Sequence, residues 1–356
     1  MGEDRGAHTE QGQPQGGIQI RNLYKIFGPR PAEMVEKVKA GMSKAELNEV
    51  HGHVLGLKNI NLTMQPGQIH VVMGLSGSGK STLIRHINRL IDPTVGEVLC
   101  DGEDVCQMSH RELREFRRFK AAMVFQRFAL LPHRTVLRNV LYGLEVQGVA
   151  RKKAERRAQR WIARVGLEGY EDNYPNQLSG GMQQRVGLAR ALANDADILL
   201  MDEAFSALDP LIRTDMQTML AGIQEELHKT VVFITHDLDE ALRLGDRIAV
   251  LRDGEIVQEG TGQQIVLRPM DGYIADFVKE VNRGRVIRVD TLMDTRRPLS
   301  GAIDVPSGAV LEDAVRLLAQ TGGTKANVVG ENGLVLGGVT LHEIMAAMVT
   351  PPGNEI

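Results

Sequence analysis

Short apolar runs separated by helical patterns recur through most of this 356-residue chain. Residues 18–28, IQIRNLYKIFG, alternate apolar and polar positions and predict a strand. Residues 57–64, LKNINLTM, predict a second, closed by the turn pair Pro66-Gly67. Between them, residues 29–54 read as one or two short helices, with Ser43 and Glu46 at capping-box spacing. Further on, the runs IHVVMG, ADILLMD, TVVFITH and DRIAVLRDG are nearly continuous in apolar residues. The first three lead into helical stretches: STLIRHINRL, a helix near Leu211–Leu227, and LDEALRLG. That alternation predicts an α/β fold with a parallel sheet. Residues 133–178 are strongly helical, which predicts a helical subdomain (about 133–190) set into the α/β body. Beyond residue 284 the pattern restarts with a helix near Leu311–Gln320, strands KANVVG and LVLGGVT, and the helix LHEIMAAM. A small α/β module over 286–349 is expected. Residues 1–17 and 350–356 are expected to be tails, the first Gly/Gln-rich and disordered. No internal repeat is visible.

Composition narrows the classes. At roughly 150 residues per domain the length suits two or three domains. Apolar residues at 42% and charged residues at 24% describe a globular chain. With 42 Lys and Arg against 45 Asp and Glu, the net charge of −3 supplies no basic field, so no nucleic-acid partner is expected. The basic runs Arg111–Lys120 and Arg151–Arg160 are poor in aromatics and read as solvated helix faces. Two cysteines, Cys100 and Cys106, are too few for a disulfide scaffold and fit a reducing compartment. The longest apolar run, Ile344–Val349, is six residues, far short of the roughly 20 that a membrane helix needs. The N-terminal residues lack the apolar core of a secretory signal.

The chemistry is concentrated in GLSGSGKST, residues 74–82. Gly74, Gly79, Lys80 and Ser81 match a phosphate-binding P-loop, with an apolar strand before it and a helix after it. Glycines let the backbone of Gly74, Leu75, Ser76, Gly77, Ser78 and Gly79 turn its N–H groups toward phosphate oxygens, beside Ser81 and Thr82 at the helix start. Lys80 is expected on the β- and γ-phosphates of ATP, and the Ser81 hydroxyl on Mg²⁺. Ile198–Met201 lead into Asp202 and Glu203. A buried strand ending in two carboxylates is costly unless they are used. Asp202 is expected in the Mg²⁺ shell and Glu203 as general base toward an attacking water.

Downstream, LSGGMQQR (Leu178–Arg185) resembles the signature motif of ATP-binding cassette (ABC) ATPases. Other marks of that family follow in family order: Gln126 after AAMVF, SALD at Ser206–Asp209, and His236 in FITHD. Phe27, or else Tyr24, lies where the family carries an adenine-stacking aromatic. The resemblance covers about residues 18–282. It implies a P-loop NTPase cassette with a RecA-like core, an antiparallel β subdomain and a helical subdomain. It implies a head-to-tail homodimer of cassettes, in which Ser179, Gly180, Gly181 and Gln183 of one subunit and Asp209 across the interface meet the partner's ATP. It also implies His236 on the γ-phosphate and Gln126 near Mg²⁺ or water.

A single cassette without long insertions resembles importer ATPases, which implies separate integral membrane permease subunits. An ABC ATPase acting on a macromolecule is the alternative class. GMSKAELNEV, VMGLSGSGKSTLIRHINRLIDPT and LLMDEAFSALDPLIRTDMQ resemble the glycine betaine/L-proline (quaternary amine) import ATPases. That implies a periplasmic or lipid-anchored substrate-binding protein and a peripheral place on the cytoplasmic face of the plasma (inner) membrane. Another small solute, such as an amino acid, stays open. The tail module resembles one cystathionine-β-synthase (CBS) unit, which that family usually carries in tandem. A single copy leaves two readings: regulation through pairing of two subunits, or a remnant.

Overall fold

The computed structural model describes residues 17–126, 129–206, 208–296 and 298–349. Of the expected tails at 1–17 and 350–356 only Gly17 is among the described residues, and its N–H donates to Asp101 Oδ1 at 3.1 Å. The chain divides into two compact units, the first made of residues up to His70, Gly77–Ile234 and Asp253–Glu255.

In the first unit, β1 (Ile18–Phe27) leads into an insertion of α1 (Ala32–Lys39) and α2 (Lys44–His51), then β2 (Val54–Met64). Ser43 and Glu46 form the expected capping box at the start of α2. In the insertion α1 turns Met34, Val35 and Val38 inward and α2 adds Leu47. Met34, Val35, Val38 and Leu47 close a small core with Tyr24, Ile26 and Leu55. β3 (Ile69–Met73, in this unit only to His70) is followed by α3 (Lys80–Ile87), β4 (Val95–Cys100), β5 (Glu103–Asp104), α4 (His110–Glu115) and β6 (Ala121–Val124). β2, β1, β4 and β5 make an antiparallel sheet in that order. β4 and β5 are absent from the sequence reading, because Gly96 and Glu97 break the alternation in VGEVLC and ED has no apolar residue. α3 is shorter than expected, ending before Leu90.

The helical subdomain consists of α5 (Val136–Gln147), α6 (Arg151–Arg164) and α7 (Gly180–Ala193). α6 buries Ala154, Ala158, Trp161 and Ile162, a stripe of helical period, and turns its arginines outward. Several of those arginines are paired: Arg164 with Glu226, Arg157 with Asp195, Arg151 with Glu155. β7 (Ile198–Asp202), α8 (Pro210–Leu227) and β8 (Thr230–Thr235) complete the unit. β6, β7 and β8 run parallel in register and are almost wholly buried, as the continuous apolar runs predict. β3 starts alongside β8, where the Val231 N–H donates to the Gln68 carbonyl at 2.9 Å.

α3 carries a titratable group in the core. His86 is fully buried, with Nδ1 2.7 Å from the Thr82 carbonyl oxygen. Burial pushes its imidazole down to about 4 from 6.5, against the favourable Thr82 carbonyl. The unfolded chain takes up this proton below about 6.5 and the folded chain only near 4. Stability is therefore full above pH 6.5 and falls as pH drops toward 4, by about 3 kcal/mol from this group. Urea titrations at pH 7 and pH 5 should show the loss in the native chain and less of it in His86→Gln. Equal losses in both would remove His86 as its source.

The second unit contains α9 (Leu238–Leu244), β9 (Arg247–Arg252), β10 (Glu255–Gly260, from Ile256 on), α10 (Gly262–Leu267) and α11 (Gly272–Val278). It continues through α12 (Val289–Leu292), β11 (Ile303–Pro306), α13 (Leu311–Thr321), β12 (Lys325–Val329), β13 (Val335–Thr340) and α14 (Leu341–Val349). β11 pairs parallel with β12, which pairs antiparallel with β13. Residues on both sides of the expected 282–286 junction belong to this unit. Arg288 N–H and the Thr291 hydroxyl both donate to Gln263 Oε1, tying α10 to the start of the tail module.

Candidate functional site

The P-loop from Gly77 on and the acidic strand end meet in the first unit. Gly77 and Gly79 adopt φ of 78° and 108°, a region open to glycine at little cost. Gly79 caps α3, so Lys80 and Ser81 stand in its first turn. Lys80 is 4% exposed, with Nζ 3.8 Å from Glu203 Oε1. Burial pulls its ammonium below the usual lysine range, while Glu203 and Asp202 oppose the shift. Ser81 Oγ donates to Asp202 Oδ1 at 2.7 Å. Asp202, the last residue of β7, is buried. Glu203 then turns the chain with φ 46° and donates its N–H to the Ile234 carbonyl at 3.2 Å. A non-glycine residue in that region is strained, and such strain collects at functional sites. The Gln126 amide donates to Glu203 Oε2 at 2.9 Å. Five of the expected residues, Lys80, Ser81, Gln126, Asp202 and Glu203, thus form one hydrogen-bonded and ion-paired cluster.

Arg85 joins this cluster and was not foreseen. Its Nη2 lies 3.1 Å from Asp202 Oδ2. The signal was available: Ser81 and Arg85 are four residues apart on one helix, so they share a face. Between them they fix both oxygens of Asp202.

The signature residues form a second group at the start of α7. Ser179 caps that helix, its Oγ accepting from the Met182 N–H at 3.3 Å. A Cβ on Gly181 would come within 2.8 Å of Ile212 Cγ2, so α8 packs against bare backbone there. The Gln183 amide donates to the Pro175 and Leu178 carbonyls at 3.0 and 3.2 Å, bracing the loop ahead of Ser179. Asp209 is exposed at the start of α8, and Gly180 opens α7 beside the cap. Of the two aromatics, Tyr24 is in the core, whereas Phe27 is 40% exposed with Lys25 Nζ 4.9 Å over its ring.

In the second unit, Gly74 (φ 151°), Leu75 and Ser76 carry the chain out of β3, and Leu75 is exposed. His236 is exposed just after β8. Its turn is rigid: Thr235 Oγ donates to Glu240 at 2.5 Å and accepts from the Asp237 N–H at 2.9 Å.

The donor set suits a hard divalent cation. Ser81 Oγ and an Asp202 carboxylate oxygen already converge, and Gln126 offers an amide oxygen beside Glu203. Mg²⁺ takes oxygen ligands and binds through one or two protein groups plus substrate phosphates. Among the described residues no group of three or more His, Cys, Asp or Glu is placed to hold a metal by itself.

A groove in the same unit shares no lining residue with this cluster, though Phe125 is the chain neighbour of Gln126. It encloses about 490 Å³ and is lined by Arg114, Arg117, Arg118 and Arg190 over Met123, Phe125, Leu131 and Tyr142. The run around Arg117 is therefore not a plain solvated face, since Arg117 also donates to the Asn88 and Arg89 carbonyls. Arg118 Nε and Asn194 Oδ1 are buried without a partner.

Comparison with known proteins gives a consistent picture. The family pattern described as ABC transporter matches residues 57–206. The chain is 46% identical over 338 residues to the glycine betaine/proline betaine transport system ATP-binding protein ProV of Salmonella typhimurium, covering 95% of this chain and 84% of that protein. It is 52% identical over 276 residues to the glycine betaine transport ATP-binding protein OpuAA of Bacillus subtilis, covering 78% and 66%. Among solved structures it is similar to a dimeric ATP-binding cassette in a post-hydrolysis state with ADP and Pi. That match has 35% identity and a TM-score of 0.59, over 69% of this chain and 98% of the other.

Proposed function

This chain belongs to the ATP-binding proteins of ABC transporters, and from that premise we propose that it powers import of a quaternary amine of the glycine betaine type. It is an ATPase coupled to transport, and among its described residues no helix is long and apolar enough to cross a membrane. The relatives are the ATP-binding proteins of transport systems, which supports a separate permease as the path for the solute. The observation that carries the ATPase chemistry is the cluster of Lys80, Gln126, Asp202 and Glu203.

Each residue has a role in this reading. The P-loop amides and Lys80 bind the ATP phosphates, and Phe27 offers its exposed ring to adenine. Ser81, Asp202 and Gln126 are the candidate holders of Mg²⁺, which would neutralise charge on the phosphates when bound. Once Lys80 engages phosphate, its hold on Glu203 slackens and that carboxylate becomes available to water. As water oxygen bonds to the γ-phosphorus and the bond to ADP breaks, Glu203 takes the water proton, with the Gln126 amide holding the other carboxylate oxygen. In a cassette dimer Ser179, Gly180 and Gly181, at the N-terminus of the 14-residue α7, face the partner's γ-phosphate. Gln183 braces that loop. Asp209 acts across the interface, and His236 contacts the γ-phosphate from its rigid turn. The apolar groove ringed by arginines suits an acidic amphipathic helix of the permease on the cytoplasmic face. The β–α–β–β–α order of β11, α13, β12, β13 and α14 supports the CBS-like reading of the tail module.

Reconstitution with the cognate permease and substrate-binding protein tests the substrate class. Glycine betaine or a related quaternary amine is expected to raise ATP hydrolysis severalfold, and methionine to leave it unchanged. Stimulation by methionine alone would overturn the class while keeping the ATPase.

A further inference from the structure

We propose that Lys44, at the start of α2 in the insertion, is a positioning residue of the phosphate loop. The inference rests on the ATP-binding reading of that loop. Lys44 Nζ lies 3.4 Å from the Gly77 carbonyl oxygen, a long charge-to-dipole contact, and 3.9 Å from Asp253 Oδ1. One residue further along the loop, the Ser78 carbonyl accepts from the Gly254 N–H at 2.9 Å. Two consecutive loop carbonyls are thus held from outside.

That arrangement aims the amides. All peptide bonds of the described residues are trans, and in a trans peptide the carbonyl and the following N–H point in opposite directions. Pinning the Gly77 carbonyl outward turns the Ser78 N–H inward, and pinning the Ser78 carbonyl does the same for the Gly79 N–H. Successive inward N–H groups form the concavity that binds an anion. The loop needs such support because Gly77 is exposed, has φ 78°, and has open space where a Cβ would stand.

The two clamps are themselves anchored. Gly254 is pressed against β2, where its own Cβ would meet the Gly56 carbonyl at 2.9 Å, and its carbonyl accepts from the Lys58 N–H at 2.8 Å. Lys44 sits between Leu47, wholly buried, and Met42, packed on the same core. Ser43 and Glu46 cap the helix at that point, fixing the direction in which Lys44 leaves it. The insertion is therefore part of the nucleotide site.

The test uses the full-length protein, with ATPase kinetics and calorimetric binding of MgATP. Lys44→Met keeps the aliphatic stem and removes the charge. It is expected to raise KM and Kd for ATP about fivefold with kcat within twofold, the pattern of lost ground-state binding. Lys44→Arg, which restores a cation of similar reach, should recover most of the affinity. An unchanged KM in Lys44→Met, or an equal defect in Lys44→Arg with a lowered melting temperature in both, would overturn the proposal. If the wild-type chain failed to bind MgATP, the underlying reading would fall as well, so the two failures are separable.

Discussion

Glu203→Gln is expected to cut ATP hydrolysis by about 10²- to 10⁴-fold, the range for losing a general base, while leaving ATP affinity near that of the wild type. Gln preserves the shape of the side chain and an oxygen for the Gln126 amide, which now sits 2.9 Å from Glu203 Oε2. It also accepts the same left-handed backbone at φ 46°, so folding is not at issue. What it lacks is the basicity to take the proton from water. A cassette that binds ATP without hydrolysing it should stay closed against its partner. Size-exclusion chromatography in MgATP is expected to show a dimer that persists in the variant and is transient in the wild type. Wild-type turnover in Glu203→Gln would remove Glu203 from its role.

Lys80→Ala is expected to weaken ATP binding by about 100-fold or more, near 3 kcal/mol, the worth of one or two hydrogen bonds to a charged group. Lys80 is buried, so its charge is poorly screened, and it is balanced by Glu203 at 3.8 Å. A phosphate replaces that partner with a more negative one. Calorimetry with ATP measures the loss directly. A Kd within threefold of the wild type would show that the loop amides alone hold the triphosphate.

The fold was most legible where burial is continuous. IHVVM, ILLMD and TVVFIT have no polar face, and all three are buried strands. Strands with polar faces carry no such mark: VGEVLC in β4 and EIVQEG in β10 lack the alternation of a half-buried strand, and neither is assigned from the sequence. In the site, Lys80, Asp202 and Glu203 were legible because local context sets them at the ends of apolar strands or the start of a helix. The Gln126–Glu203 bond was not, since it joins residues 77 apart and depends on how two parallel strands end together. Lys44 was hidden for the same reason. Nothing around GMSKAEL says that a lysine on an inserted helix reaches the carbonyl of Gly77.

The way the insertion joins the sheet bears on how such a segment is gained or lost. Phe27 and Val54 are direct partners across β1 and β2, so residues 28–53 stand where a tight hairpin turn would serve. The imidazole of His53 lies 2.7 Å from the Pro29 carbonyl oxygen and 2.6 Å from that of His51, drawing exit and return together. Closing a loop of this length instead of two residues costs about 2 kcal/mol in chain entropy, because the penalty grows only with the logarithm of length. The strand register on either side is indifferent to what the loop contains. A chain could therefore acquire or shed this pair of helices in one step without re-pairing a single strand, and the catalytic core would carry a new attachment without being rebuilt.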